Sequence, residues 1–113
     1  MMTKIAAIDY SMNSPSLCIG EEPIFSKCSF FVQNLKIKKE KIENISFLKI
    51  EKYFSEVERF HNLSTSFLSI LLENEIQKVY LEGYSMGSRG KVFNIGENAG
   101  ILKYNLWLHD IEV

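Results

Sequence analysis

The chain is poor in the residues that announce a secreted, metal-stapled or membrane protein. Of its 113 residues only two are cysteines, Cys18 and Cys28. They fall in neighbouring predicted strands and read as small buried hydrophobes of a reducing compartment rather than as a disulfide. Two cysteines and two distant histidines offer no zinc-ligand spacing. Long apolar runs are missing too. "IAAI" (5–8) is cut off by Asp9, far short of the roughly 7–15 apolar residues of a signal-peptide core. Nothing approaches the roughly 18 residues of a membrane helix, so no membrane partner is expected. Charge of one sign is not in excess: the formal net charge is −1. Binding to nucleic acid would therefore need local clustering of Lys and Arg, not global attraction.

What remains is ordinary globular material. Hydrophobic content is 46% and charged content 24%, enough for one domain with one core over residues 1–113. "KIAAIDYS" (4–11) reads as a buried strand, "MNSPS" (12–16) as a turn, "SLCIG" (16–20) as a second strand, and "IFSKCSFFV" (24–32) as a third. Three strands on tight turns predict an antiparallel meander. The Lys- and Glu-rich stretch 33–53 reads as an irregular exposed connection with room for a short helix. From 54 to 74 a helical period places Phe54, Val57, Phe60, Phe67, Leu68, Leu71 and Leu72 near one face. "IQKVYLEG" (76–83) is a strand, residues 84–90 a glycine-rich loop, and 91–108 a second helix, in which Gly96, Ala99 and Gly100 permit close packing. "DIEV" (110–113) opens another strand. The order β-β-β-α-β-α-β predicts an α/β fold, a mixed sheet with helices on its faces.

The chemistry concentrates at two strand ends. Asp9 follows "KIAAI" and Glu82 follows "KVYL". Carboxylates in apolar strand contexts are costly to bury without a cation. Two of them at the ends of adjacent strands suit a hard divalent ion such as Mg²⁺. The plainer alternative stays open: Asp9 caps the "DYSMNS" turn and Glu82 pairs with Arg89 or Lys91. The stretch "VYLEGYSMGSRGKVF" (79–93) is not a nucleotide cradle. Gly90-Lys91 lacks the earlier glycine and the following Ser or Thr of a Walker loop, and the glycine spacing does not fit G-x-G-x-x-G. It reads instead as a basic-polar loop leading into a helix N-terminus. Ser88, Arg89 and Lys91 suit phosphate oxygens, and Tyr84 could stack on a base or serve ordinary packing.

These residues resemble a known family. "IAAIDYSMNSPSLCI" resembles the first strand and turn of RuvC-like resolvases of the phage type, within the RNase H-like superfamily. "VYLEGYSMGSRGKVFNIGENAGILKYNLW" is similar to the second signature, a strand ending in a catalytic Glu, a Gly/Ser/basic loop and an amphipathic helix. The resemblance covers about residues 3–20 and 77–108, roughly half the chain. It implies an RNase H-like mixed sheet and metal-dependent cutting of branched DNA, typically Holliday junctions. Asp9 and Glu82 match the first two catalytic acids and would be the ligands of Mg²⁺ or Mn²⁺. Tyr84, Ser85, Ser88, Arg89 and Lys91 would face DNA. The family works as a homodimer through the helix after the Glu, here 91–108, and the implied setting is the cytoplasm of a bacterial or phage-infected cell. The family's remaining acids lie on a final helix beyond the position of Val113, so the implied fold is incomplete at its C-terminus. Asp110 and Glu112 do not map onto them, and Glu97 reads as a solvated or dimer-contacting residue.

Two functions follow. The first is a Mg²⁺-dependent endonuclease with Lys27, Lys36, Lys38, Lys39, Arg89 and Lys91 as candidate phosphate contacts, although the glutamates among lysines 36–41 mark a solvated surface there. The second is a non-catalytic DNA-binding or scaffold module on the same fold. An actin-like phosphotransferase fits less well, because "DYSMNSPS" has no glycine-rich phosphate turn. A sheet missing a covering helix would expose apolar surface, which predicts dimerisation or poor solubility.

Overall fold

The computed structural model describes residues 4–11, 14–22, 24–33, 41–49, 52–82 and 92–113. Among them are six strands: β1 (Ile5–Asp9), β2 (Ser16–Gly20), β3 (Ser29–Gln33), β4 (Lys41–Ile42), β5 (Ile45–Leu48) and β6 (Val79–Leu81). Two helices, α1 (Glu56–Glu73) and α2 (Val92–Leu108), accompany them. The sheet order is β4-β5-β3-β2-β1-β6. The expected meander is present: β1 pairs antiparallel with β2, and β2 with β3. β6 then joins β1 in parallel. After α2, Glu112 forms an isolated parallel bridge with Lys78, just ahead of β6. There Val79 N–H donates to Glu112 O at 2.8 Å and Glu112 N–H to Gln77 O at 2.9 Å.

Alternation along β1 decides what the sheet buries. Ala6 and Ile8 are fully covered, while Ile5, Ala7 and Asp9 face the other way. The covered face carries Ala6, Ile8, Leu17, Ile19 and Val79. Phe60, Leu63, Phe67, Leu71, Leu102 and Leu106 are the apolar helical residues buried most completely. Both helices therefore lie on one side of the sheet. The opposite face has no helix over it among the described residues. Ile5 is 45% and Tyr80 53% exposed there, with Phe30, Val32, Ile45 and Phe47 half-buried.

The helix ends are built locally. Ser55 caps α1: its Oγ accepts from Glu58 N–H at 3.1 Å, and the Glu58 carboxylate reaches past the cap to accept from Phe54 N–H at 3.3 Å. At the other end Glu75 takes φ 52–56-type left-handed geometry, with φ 55°. Glu75 N–H donates to Leu72 O, and Ile76 N–H to Leu71 O at 3.0 Å. α2 ends the same way through Asp110 (φ 56°), with Ile111 N–H donating to Leu106 O at 2.9 Å. In each case a left-handed acidic residue stops the helix and the next isoleucine, Ile76 or Ile111, returns to the core.

Four expectations need correction. The segment 24–32 is not one strand: Phe25–Lys27 forms a 3-10 turn and β3 begins at Ser29. The stretch 33–53 is not wholly irregular, since β4 and β5 form a hairpin and β5 pairs in parallel with β3. Its two-residue loop places Glu43 at φ 52°, a position glycine usually holds, so the turn carries no sequence signal. Asn44 compensates by donating its Nδ2 to Phe25 O at 2.6 Å and to Cys28 O at 2.8 Å. Phe54 stands outside α1, before its cap, and is 96% exposed; within the helix Val57 is 67% exposed and Leu72 is also exposed. Leu63 and Ser64 take the inner face with Phe60, Phe67, Leu68 and Leu71. Finally, a Cβ at Gly96 or Gly100 would meet nothing within 4 Å. Those glycines do not serve close packing; Ala99, which is buried, does.

Candidate metal and nucleic-acid site

The parallel ladder between β1 and β6 aligns Ala6 with Val79, Ala7 with Tyr80 and Ile8 with Leu81. It continues one step further, because Glu82 N–H donates to Ile8 O at 3.1 Å. Glu82 is thereby held beside Asp9, and both side chains belong to the face that no helix covers among the described residues. Their carboxyl groups are in hydrogen-bonding contact. That contact, reinforced by the Asp9 charge and by a little burial, raises Glu82 above its ordinary pKa of 4.5. One proton shared between two oxygens relieves the repulsion of two anions at close range.

Such a pair presents several carboxylate oxygens to solvent at one point. The donor set is all oxygen, anionic and exposed, which fits a hard divalent cation that keeps most of its waters. Among the described residues no group of three or more His, Cys, Asp or Glu side chains converges. Ser16, aligned with Asp9 on the β2 side, shares the same face. Sequence reading passed over it, although the register of the β1–β2 hairpin places it there.

Tyr84, Ser85, Ser88, Arg89 and Lys91 lie outside the described residues, as does any pairing of Glu82 with Arg89 or Lys91. In the turn after β1, Ser14 N–H donates to Ser11 Oγ at 3.3 Å. Glu97 is exposed and lines a groove between α1 and α2 with Val57, Phe60, Gly100, Ile101 and Tyr104.

No family model and no curated protein matches the sequence. Solved structures do match its shape. The Thermus thermophilus RuvC in complex with Holliday junction substrate superposes with a TM-score of 0.62 at 14% identity. The alignment covers 94% of this chain and 59% of that one. A Thermus thermophilus RuvC structure gives a TM-score of 0.58 at 12% identity, covering 94% and 58%.

The chain has a RuvC-like fold.

At these identities the likeness speaks for the fold alone. The chain spans less than two thirds of the length of either RuvC neighbour. Within that frame the three-strand meander, the parallel β6 and the two helices on one face correspond to the RNase H-like architecture anticipated above. No helix among the described residues is long and apolar enough to cross a membrane.

Proposed function

We propose that this chain acts as a divalent-metal-dependent endonuclease on branched DNA, with Holliday junctions as the substrate class. The observation that carries the reading is the Asp9–Glu82 pair, side by side on the open face of a RuvC-like sheet. Asp9 and Glu82 would hold Mg²⁺ or Mn²⁺. When bound, the ion supplies Lewis-acid polarisation of a phosphate oxygen and a water of lowered pKa. The protein's own contribution is to hold the two carboxylates side by side at the ends of paired strands. The absence of a helix over this face, among the described residues, leaves room for a broad, stiff substrate such as a duplex arm.

With a net charge of −1, attraction to DNA must come from local groups. Tyr84, Ser85, Ser88, Arg89 and Lys91 follow Glu82 directly and are assigned that role, the cations meeting phosphates and the tyrosine stacking. A homodimer through α2 brings two such sites to one junction. It is supported by the outward apolar residues of that helix: Trp107 is 71% exposed and stacks on Tyr104 with ring centroids 6.1 Å apart.

The second reading, a non-catalytic DNA-binding or scaffold module, is favoured by the meeting of only two acids among the described residues. A synthetic four-way junction separates the two. Incubated with Mg²⁺ or Mn²⁺, the parent should cut the junction and leave linear duplex intact, while Asp9→Asn and Glu82→Gln should bind without cutting. Binding by all three proteins with no cleavage by any would replace the nuclease reading with the module.

A further inference from the structure

We infer that Cys18 and Cys28 form an oxidisable dithiol, a modification site where a small disulfide reagent closes a bond between β2 and the residue entering β3. The register carries the argument. β2 and β3 align Cys18 with Phe30 and Ile19 with Ser29, and one further step sets Gly20 opposite Cys28. Cys18 and Cys28 are then diagonal neighbours on the same face of the sheet. Gly20 is what brings the sulfurs together. A Cβ at that position would stand 2.7 Å from Cys28 Sγ and 3.5 Å from Cys28 Cβ. The Cys28 side chain therefore occupies the space that any other residue's side chain would fill, and it leans over Gly20 toward Cys18.

The two thiols touch. Cys18 is hydrogen-bonded to Cys28, and Cys28 Sγ donates to Glu22 O at 3.3 Å. Both cysteines are free thiols; Cys28 is buried and Cys18 half-buried. Diagonal cross-strand positions stand about 7–8 Å apart at Cα, and a disulfide spans up to about 6.8 Å. Closure thus asks for a shift of about 1 Å. Cys28 precedes β3 and follows the Phe25–Lys27 turn, so the turn can supply that movement without unzipping the sheet.

The half-buried Cys18 is the sulfur a reagent reaches first. With oxidised glutathione, the Cys18 sulfur attacks one sulfur of the reagent, the reagent's S–S bond breaks, and one glutathione leaves as thiol. Cys28 then displaces the second glutathione from Cys18. Two S–H bonds are lost, one S–S bond forms, two electrons pass to the reagent, and both protons end on the glutathione thiols. Burial, and secondarily Cys28 itself, push the Cys18 thiol up to about 11, so thiolate is scarce at neutral pH and the reaction is slow.

Intact mass and non-reducing peptide mapping of the native chain in oxidised glutathione test the inference. The expected product has lost the mass of two hydrogen atoms, stays monomeric on a non-reducing gel, and yields a peptide pair linked through Cys18 and Cys28. A glutathione adduct that persists on either cysteine, a disulfide between two chains, or a chain that stays reduced overturns it. Gly20→Ala provides a check on the geometry. Its methyl group displaces the Cys28 sulfur, so closure should slow severalfold, and an unchanged rate counts against the register argument.

Discussion

Asp9 and Glu82 share a hydrogen bond between their carboxyl groups, although they come from strands separated by most of the chain. The pair is unfavourable when both acids are ionised. Glu82 has a folded-state pKa above its ordinary 4.5. Its contribution to stability is therefore complete below the unfolded value and is lost as pH rises through the raised folded value. Without divalent cations, Glu82→Gln should be more stable than the parent at neutral pH, and this advantage should vanish in acid. Urea midpoints across the pH range check the sign. A variant less stable than the parent at neutral pH would show that the two acids do not repel.

Cations should reverse that balance. If Mg²⁺ or Mn²⁺ binds at the pair, thermal unfolding of the parent should shift upward with metal concentration, by about 2.7 kcal/mol of added stability at a hundredfold excess over Kd. Asp9→Asn and Glu82→Gln should lose the shift. Equal shifts in all three proteins would place the metal elsewhere.

The helix pair is held by packing and by a polar tie. Asn105 Nδ2 donates to Ser64 Oγ at 2.9 Å, with Ser64 fully buried. Leu106→Ala removes a side chain of zero exposure and should cost about 2–5 kcal/mol. Ser64→Ala removes both the bond from Asn105 and the one Ser64 Oγ donates to His61 O at 3.1 Å, and should cost about 1–2 kcal/mol. Denaturant midpoints at unchanged m-value measure both. Similar costs for the two would mean that the hydrogen bonds matter as much as the core.

The outer face of α2 is the proposed dimer contact. Tyr104, Trp107 and Leu108 are all more than half exposed. The parent should sediment as a dimer, and Tyr104→Lys with Trp107→Lys should sediment as a monomer. A parent that is monomeric at high concentration, or a double variant that remains dimeric, would remove α2 from the interface.

Much of the central fold was legible because its signals are local. The apolar run of β1, the helical period of α1 and the apolar centre of β6 each act within a few residues. The pairing of Asp9 with Glu82 was anticipated from strand ends, and the parallel register supplies it. The β4–β5 hairpin was not legible. Glu43 stands where a glycine or asparagine would mark the turn, and the tie that secures it, from Asn44 to Phe25 and Cys28, is long-range. The inner face of α1 was read only in part, since Phe54, Val57 and Leu72 follow the helical period yet remain exposed. Periodicity finds an apolar stripe; it does not reveal how far the neighbouring helix extends over it.

The parallel pairing of β1 with β6 has a kinetic consequence. Contacts between distant parts of a chain close late, after the local hairpins and helices have formed. An intermediate holding only the β1–β2–β3 meander would carry Asp9 without its neighbour and feel no repulsion. If the β1–β6 ladder closes only after the rate-limiting barrier, Glu82→Gln will slow unfolding and leave the folding rate unchanged, which chevron plots of parent and variant measure.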